Sequence, residues 1–399
     1  MIKQRKSFME NKILLIFFVL IASISQATDD ISNTLLIGLD ADISSGSARS
    51  GESIRRGAII AIDEVNAQGG LLGKQLKLEV RDHRGIPARG VANIEYFSSK
   101  KNLLAVLGGL HTPVALRELP TIHKNKVIYL VPWAAGTTIV ENGYKPNYVF
   151  RASVSDQFAG GFLVKKAVEQ GYKEIGLLLE RTGWGRSNEK AMTSALKKEG
   201  LLPTAIEWFR WGSNIEKMSQ HINKLKFSGA EVILLVSNAP EGATLIRAMA
   251  QRLETDRLPV ISHWGITGGD FFEKTKDILG LVKLQFLQTY SFFEPGNKEY
   301  AKQFLSAYCQ RFNACQGAKA VFSPVGSAHA YDLIHLLVKA AKIAGTPESS
   351  QVHTALEQID YHSGLVREYQ PPFTTNNHDA FDLSDFRLAH YNSEGIIVP

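Results

Sequence analysis

The sequence predicts an α/β protein of two lobes. Three observations carry that reading: short apolar runs alternate with longer amphipathic ones, the chain is too long for one core, and a strand–loop–helix unit restarts near its middle. Continuous apolar strands suit a parallel sheet buried on both faces, and strands alternating with helices imply right-handed βαβ units. At 399 residues the chain exceeds what one ordinary core accommodates.

The first 27 residues stand apart. Lys3, Arg5, Lys6 and Lys12 give a basic start, Ile13 to Ile24 is almost wholly apolar, and Ser25-Gln26-Ala27 has the small residues of a cleavage site. This pattern predicts a secretory signal peptide over 1–27 and a periplasmic mature chain of 372 residues starting near Thr28. The apolar run is short for a membrane span, and no cysteine stands at the cut to take a lipid. Removing four of the 45 basic residues and one of the 39 acidic ones leaves 41 against 38, a net charge of +3. No basic block interleaved with aromatics occurs, which argues against a nucleic-acid partner.

The elements follow in order. Leu35 to Leu39 is a strand, and Ser44 to Gly51 a loop. A helix starts near Ser50, a possible cap, with Ile54, Ala58, Ile62 and Val65 on one face, and Gly69-Gly70 ends it. Leu76, Leu78 and Val80 alternate as the next strand. Leu103–Leu107 is followed by a helix that Pro113 opens, then Val127–Val131. Ile175–Leu179 leads to a helix ending at Lys198, Val232–Val236 to a helix from Glu241, and Pro259–Ser262 closes the series. Ile175-Gly176-Leu177 echoes Ile37-Gly38-Leu39, a weak internal repeat. Cys309 and Cys315 are read either as a disulfide or as two buried thiols on a helix.

Ligands of open α/β sheets sit beyond the carboxyl ends of the strands. The residues there are Asp40 to Ser50, Gly108 to Thr112, Pro132 to Gly136, Arg181 to Gly185, Ser237 to Pro240 and His263 to Gly265. Three of the five tryptophans fall in these loops beside small residues or histidine, as pocket walls would. The alternative is that they pack an inter-lobe hinge.

Signs of catalysis are few. No G-x-S-x-G, H-E-x-x-H or paired C-x-x-C occurs. Gly69 to Lys74 has the wrong glycine spacing for a phosphate loop. Asp40-x-Asp42-x-Ser44 opens like a calcium loop but has Ser45 at its sixth position and Gly51 at its twelfth. His111 and His263 read as hydrogen-bonding wall residues. No enzyme, cofactor or metal site is expected.

From Gly57 to Lys74 the chain reads GAIIAIDEVNAQGGLLGK, followed by a strand ending in Asp82. This resembles the leucine/isoleucine/valine-type periplasmic binding proteins of fold type I, and the likeness continues through Gly108–Pro132, Trp184-Gly185 and Ala330-Tyr331-Asp332. The resemblance implies two Rossmann-like lobes with parallel sheets joined by a three-crossing hinge. Residues 28–154 and 290–372 would form the first lobe, and 155–289 and 373–399 the second. It implies a monomer that closes over a small molecule and delivers it to an inner-membrane ABC permease. In amino-acid-binding members a hydroxyl at the position of Thr112 holds the ligand carboxylate, with a second contact at Trp133 to Ala135. The family hydroxyl there is Ala135 in this chain. An aromatic contact matches Trp184, a tyrosine position reads Asn238, and the acid that pairs with the ligand ammonium reads Trp264. Ser45, Arg49, Ser50, His111, Thr112, Trp133, Ala134, Ala135, Trp184, Asn238 and Trp264 are therefore the candidate ligand contacts. An indole cannot neutralise an ammonium, so the expected ligand is ring-bearing or uncharged rather than a simple amino acid. The alternative function is a periplasmic ligand sensor feeding a membrane receptor or sensor kinase. A nucleotide-dependent enzyme would need G-x-G-x-x-G after the first strand, and Leu39 to Gly51 lacks it.

Overall fold

The structure, a computed structural model, describes residues 33–398; the expected signal peptide lies outside them. The chain first builds β1 (Thr34–Ala41), α1 (Ala48–Ala67), β2 (Gln75–Asp82), α2 (Pro87–Ser98), β3 (Leu103–Leu107), α3 (Thr112–Lys124), β4 (Tyr129–Val131), the short α4 (Thr137–Val140) and β5 (Val149–Arg151). These strands form one sheet in the order β2-β1-β3-β4-β5, every neighbour parallel. Residues 35–37 and 104–107 lie buried within it, which accounts for the unbroken apolar runs.

The unit restarts with α5 (Asp156–Glu169), β6 (Ile175–Glu180), α6 (Gly183–Lys198), β7 (Ala205–Phe209), α7 (Ile215–Phe227), β8 (Val232–Val236), α8 (Ala239–Ala250), β9 (Val260–Ser262), α9 (Phe271–Thr275) and β10 (Leu284–Gln288). The chain then returns to the first sheet's side with α10 (Lys298–Phe312), α11 (Pro324–Ala344) and α12 (Ser349–Glu357), adds the small pair β11 (His362–Ser363) and β12 (Glu368–Tyr369), and ends in β13 (Arg387–Tyr391) and β14 (Ile397–Val398). The second sheet runs β14-β13-β10-β9-β8-β6-β7. Its five strands from β6 to β10 are parallel, whereas β13 and β14 join antiparallel at one edge, so this sheet is mixed rather than parallel throughout. Three crossings therefore link two α/β lobes: after β5, after β10 and before β13.

Helix α11 lies against α1 at close range. A Cβ added at Gly57 would stand 2.0 Å from the Ser327 carbonyl oxygen, so glycine is what lets the two backbones meet. Ser53 secures the contact, its hydroxyl reaching the Ser323 carbonyl at 2.5 Å and the Ser327 hydroxyl at 2.8 Å. Cys309, in the last turns of α10, forms a disulfide with Cys315 beyond its end, where Asn313 takes the left-handed conformation (φ 51°) that turns the chain back. No helix of the described residues is long and apolar enough to cross a membrane.

Candidate functional site

The C-terminal ends of both sheets face each other, and the loops beyond them enclose a narrow cleft. Leu110, His111, Thr112, Pro113, Trp133, Ala134 and Ala135 line it from the first lobe; Glu180, Trp184, Asn238 and Trp264 line it from the second. The space left between these walls is about 10 Å³, room for no more than one water. Of the sequence-expected contacts, the structure brings together His111, Thr112, Trp133, Ala134, Ala135, Trp184, Asn238 and Trp264.

Ser45, Arg49 and Ser50 are elsewhere. The loop after β1 is folded onto Asp42, whose carboxylate accepts the Ser45 amide at 2.8 Å, the Ser45 hydroxyl at 2.6 Å and the Ser47 amide at 3.0 Å. Against the upward push of burial, His111 and then these donors hold the Asp42 carboxyl below its ordinary range. Ser45 is thus a turn residue. Arg49 points to the rim, where it pairs with Asp270 at 2.8 Å and lies over the Phe322 ring. Helix α1 begins at Ala48, so Ser50 sits inside its first turn and does not cap it. Its hydroxyl instead reaches across to the Gly268 carbonyl of the second lobe. Ser50 is a clasp between lobes.

Strand-end placement predicts Trp133 and Trp184 facing each other across the cleft, one from each lobe, with Trp264 nearby; the structure arranges the indoles differently. Trp133 faces Trp264 across the cleft with ring centroids 5.4 Å apart, and Trp184 is not its partner. Trp184 lies edge-on to His263 at 5.0 Å and donates its ring N–H to Asp156 at 3.1 Å, which ties it to the first crossing. Asp156 in turn donates its amide to the Ala135 carbonyl at 2.7 Å, and His263 Nε2 stands 3.2 Å from its carboxylate. The first wall is equally constrained. Thr112 Oγ1 accepts the Gly136 amide at 3.2 Å, leaving its own O–H to donate into the cleft. The Ser153 hydroxyl holds the Trp133 carbonyl at 2.8 Å, and buried Arg151 bonds the carbonyls of Ala134 and Gly136 while pairing with Asp379.

Below the cleft, His329 Nδ1 lies 2.9 Å from the Pro132 carbonyl and Nε2 3.0 Å from the Thr289 hydroxyl. Burial pushes its pKa down to about 4, so the ring is neutral and spans from the second crossing to the first lobe.

Sequence reasoning missed Glu180. It ends β6 and is 1% exposed, accepting Thr182 Oγ1 and Asn238 Nδ2, each at 2.9 Å. Burial pushes its pKa up to about 7, opposed by Trp211, Thr182 and His111. The signal was present as the first charge after Ile175–Leu179, one residue before the loop that had been singled out. Asn238 is therefore a partner of this acid. Trp211 was missed as well: from the second lobe its ring reaches His111 at 5.6 Å, whose Nε2 is 3.5 Å from Asp42.

Two α/β lobes with a nearly closed, aromatic-walled cleft at their facing strand ends define a solute-binding protein that works by closure. The family model for periplasmic binding proteins matches residues 34–394, and the chain belongs to that family. It is 26% identical over 330 residues to Leu/Ile/Val-binding protein homolog 2 of Brucella abortus (strain 2308), covering 81% of this chain and 82% of that protein. Among solved structures, a type 1 periplasmic binding protein from Bordetella pertussis Tohama I superposes with a TM-score of 0.82 at 19% identity, covering 92% of this chain and all of that one. A solute-binding protein of an ABC transporter from Rhodopseudomonas palustris HaA2, bound to p-hydroxybenzoic acid, gives 0.75 at 19% identity, covering 91% and 95%.

Proposed function

We propose that this protein is the periplasmic solute-binding component of an ABC transporter and that its ligand is a small ring-bearing compound carrying a hydrogen-bond donor. One observation carries the ligand class: the cleft combines an indole pair 5.4 Å apart, a third indole and a buried carboxylate, Glu180, where the amino-acid binders' acid position is Trp264. Indoles favour flat apolar rings, and the Glu180 carboxylate, already accepting Thr182 and Asn238, keeps further lone pairs that a ligand donor can meet. Thr112 and the amides near it offer the opposite pole to an acidic or carbonyl group. The Brucella relative's name gives leucine, isoleucine and valine, and the Rhodopseudomonas protein holds an aromatic acid; the walls here fit the second kind better.

The supporting framework is that of the family. The mature chain starts near Thr28 in the periplasm, acts as a monomer, hands its ligand to an inner-membrane permease and catalyses nothing. The lobes divide at 154/155 and 289/290. The third division is expected at 372/373; the pairing of Asp379 with Arg151 beside β5 supports a later place, between 380 and 387.

A thermal-shift panel of hydroxylated and aminated ring acids and amides against leucine, isoleucine and valine tests the reading, since bound ligand raises the melting temperature by mass action. Ring compounds with a donor should give the largest shifts, confirmed by calorimetry. Tightest binding by an aliphatic amino acid would overturn the ligand class. A permease encoded beside the gene favours transport; a sensor kinase there would favour the sensing alternative.

A further inference from the structure

We propose that His353, Glu357 and His378 form a site for a divalent transition metal of the zinc class, remote from the cleft. His353 and Glu357 are four residues apart on α12 and so share one face of it, while His378 comes from the segment leading to the third crossing. One donor atom from each residue lies within 4.8 Å of the other two.

The hydrogen bonding of His378 carries the argument. Its Nδ1 is 2.8 Å from the Val149 carbonyl, which only accepts, so Nδ1 bears the proton. Nε2 then presents a lone pair to Glu357 Oε1 at 3.0 Å. Two lone pairs do not face each other at that distance without a cation between them, either a second proton or a metal. His353 Nε2 stands 3.8 Å from the same carboxylate oxygen; it faces the Asn147 carbonyl at 3.0 Å and so bears a proton there, joining a metal as third ligand once that proton has moved to Nδ1. Ligand atoms around tetrahedral zinc, with bonds of about 2.0–2.1 Å, are about 3.3 Å apart, between these two spacings. Imidazole and carboxylate are zinc-type donors, and a backbone carbonyl on the far ring nitrogen, as Val149 provides for His378, is the usual support for a ligating histidine. Phe150 stacks on His378 at 4.1 Å and Tyr148 lies 4.8 Å from His353, so the rings are fixed in a dry setting. Both histidines are buried, and Glu357 is partly open to solvent.

Metal entry displaces the proton between His378 and Glu357 to solvent, while His353 moves its own proton from Nε2 to Nδ1, so one proton leaves per metal bound. The consequence is structural. The site joins α12 to the residue preceding Asp379, which clamps Arg151 at the first crossing, and so pins the last crossing to the first lobe.

The test is titration of zinc into the full mature chain, stripped with chelator, against a chromophoric competitor, with unfolding followed in parallel. The expected result is one zinc per chain, one proton released and a raised melting temperature. Glu357→Gln, which keeps the side chain's shape, and His378→Gln should each weaken zinc by about 100-fold or more, because loss of outer-shell partners alone costs 10–100-fold. His390→Gln, at an exposed histidine, should change nothing. Equal zinc affinity in the wild type and Glu357→Gln, or no stoichiometric binding by the folded wild type, would overturn the proposal and leave a proton in that place.

Discussion

The two walls of the cleft are built from the same kind of strand-end loop and do different chemistry. The first lobe offers the Thr112 hydroxyl, the small side chains of Ala134 and Ala135, and one indole, all fixed from behind by Ser153 and Arg151. The second lobe offers two indoles and a carboxylate that burial holds near neutrality. Carbonyls locked into a core make a shelf of fixed shape that any ligand of the right size can rest on. Indoles and a desolvated acid discriminate, because each rewards one kind of partner and penalises its absence. On the proposed reading, the first lobe docks the ligand and the second selects it.

Four substitutions sharpen or break this contrast, in falling order of effect. Trp264→Ala should lower stability by about 3–5 kcal/mol in denaturant melts, since this indole is fully buried against Trp133 and His329. A loss under 1 kcal/mol would mean the second wall is not packed as described.

Glu180→Gln should stabilise the unliganded protein. The folded pKa of about 7 lies above the ordinary 4.5, so the native state holds its proton more tightly than the unfolded chain. That contribution is complete below about pH 4.5 and lost as pH rises through 7. The variant, always neutral, should match the wild type near pH 4 and exceed it by up to about 3 kcal/mol at pH 8. The same variant should bind ligand more weakly and lose the wild type's fall in affinity on acidification below 7. A stability difference that does not vary with pH would remove Glu180 from the account.

Trp184→Ala should weaken ligand binding by about 2–3 kcal/mol through lost aromatic burial, read by calorimetry. It should also cost about 1–2 kcal/mol of stability, because Asp156 loses its indole donor. Unchanged affinity in the folded fraction would make Trp184 a packing residue. Ser50→Ala, which deletes the inter-lobe hydroxyl bond to Gly268, should cost about 1 kcal/mol in closure and hence a few-fold in affinity, without moving the melting temperature of either lobe by much.

The contrast also explains what the sequence made legible. Strands buried on both faces announce themselves as continuous apolar runs, so Leu103–Leu107 and Val232–Val236 were readable to the residue. The outer strands were not: β5 is three residues long, β7 is half-buried, and β13 pairs with β10, formed about a hundred residues earlier, and with the two-residue β14. Trp133, Trp184 and Trp264 were found because tryptophan beside glycine or alanine at a strand end is uncommon in a core. Glu180 was hidden because a charge at the end of a strand reads as the start of solvent, and its burial depends on the opposing lobe. Arg49 and Ser50 fall outside the cleft lining for a related reason. Proximity to a strand end gives the neighbourhood, but a one-turn rotation of α1 decides whether a side chain meets the cleft, the rim or the other lobe.

The division of labour between the walls is tested most directly by selectivity. The ring-bearing ligand identified in the panel and leucine would each be titrated calorimetrically into the wild type, Thr112→Ala and Trp184→Ala at one pH above 7. Thr112→Ala should weaken both ligands by similar factors, leaving their affinity ratio within about threefold of the wild type, whereas Trp184→Ala should reduce that ratio by about tenfold or more. A ratio that survives Trp184→Ala and collapses in Thr112→Ala would contradict the account and make the first lobe the selector.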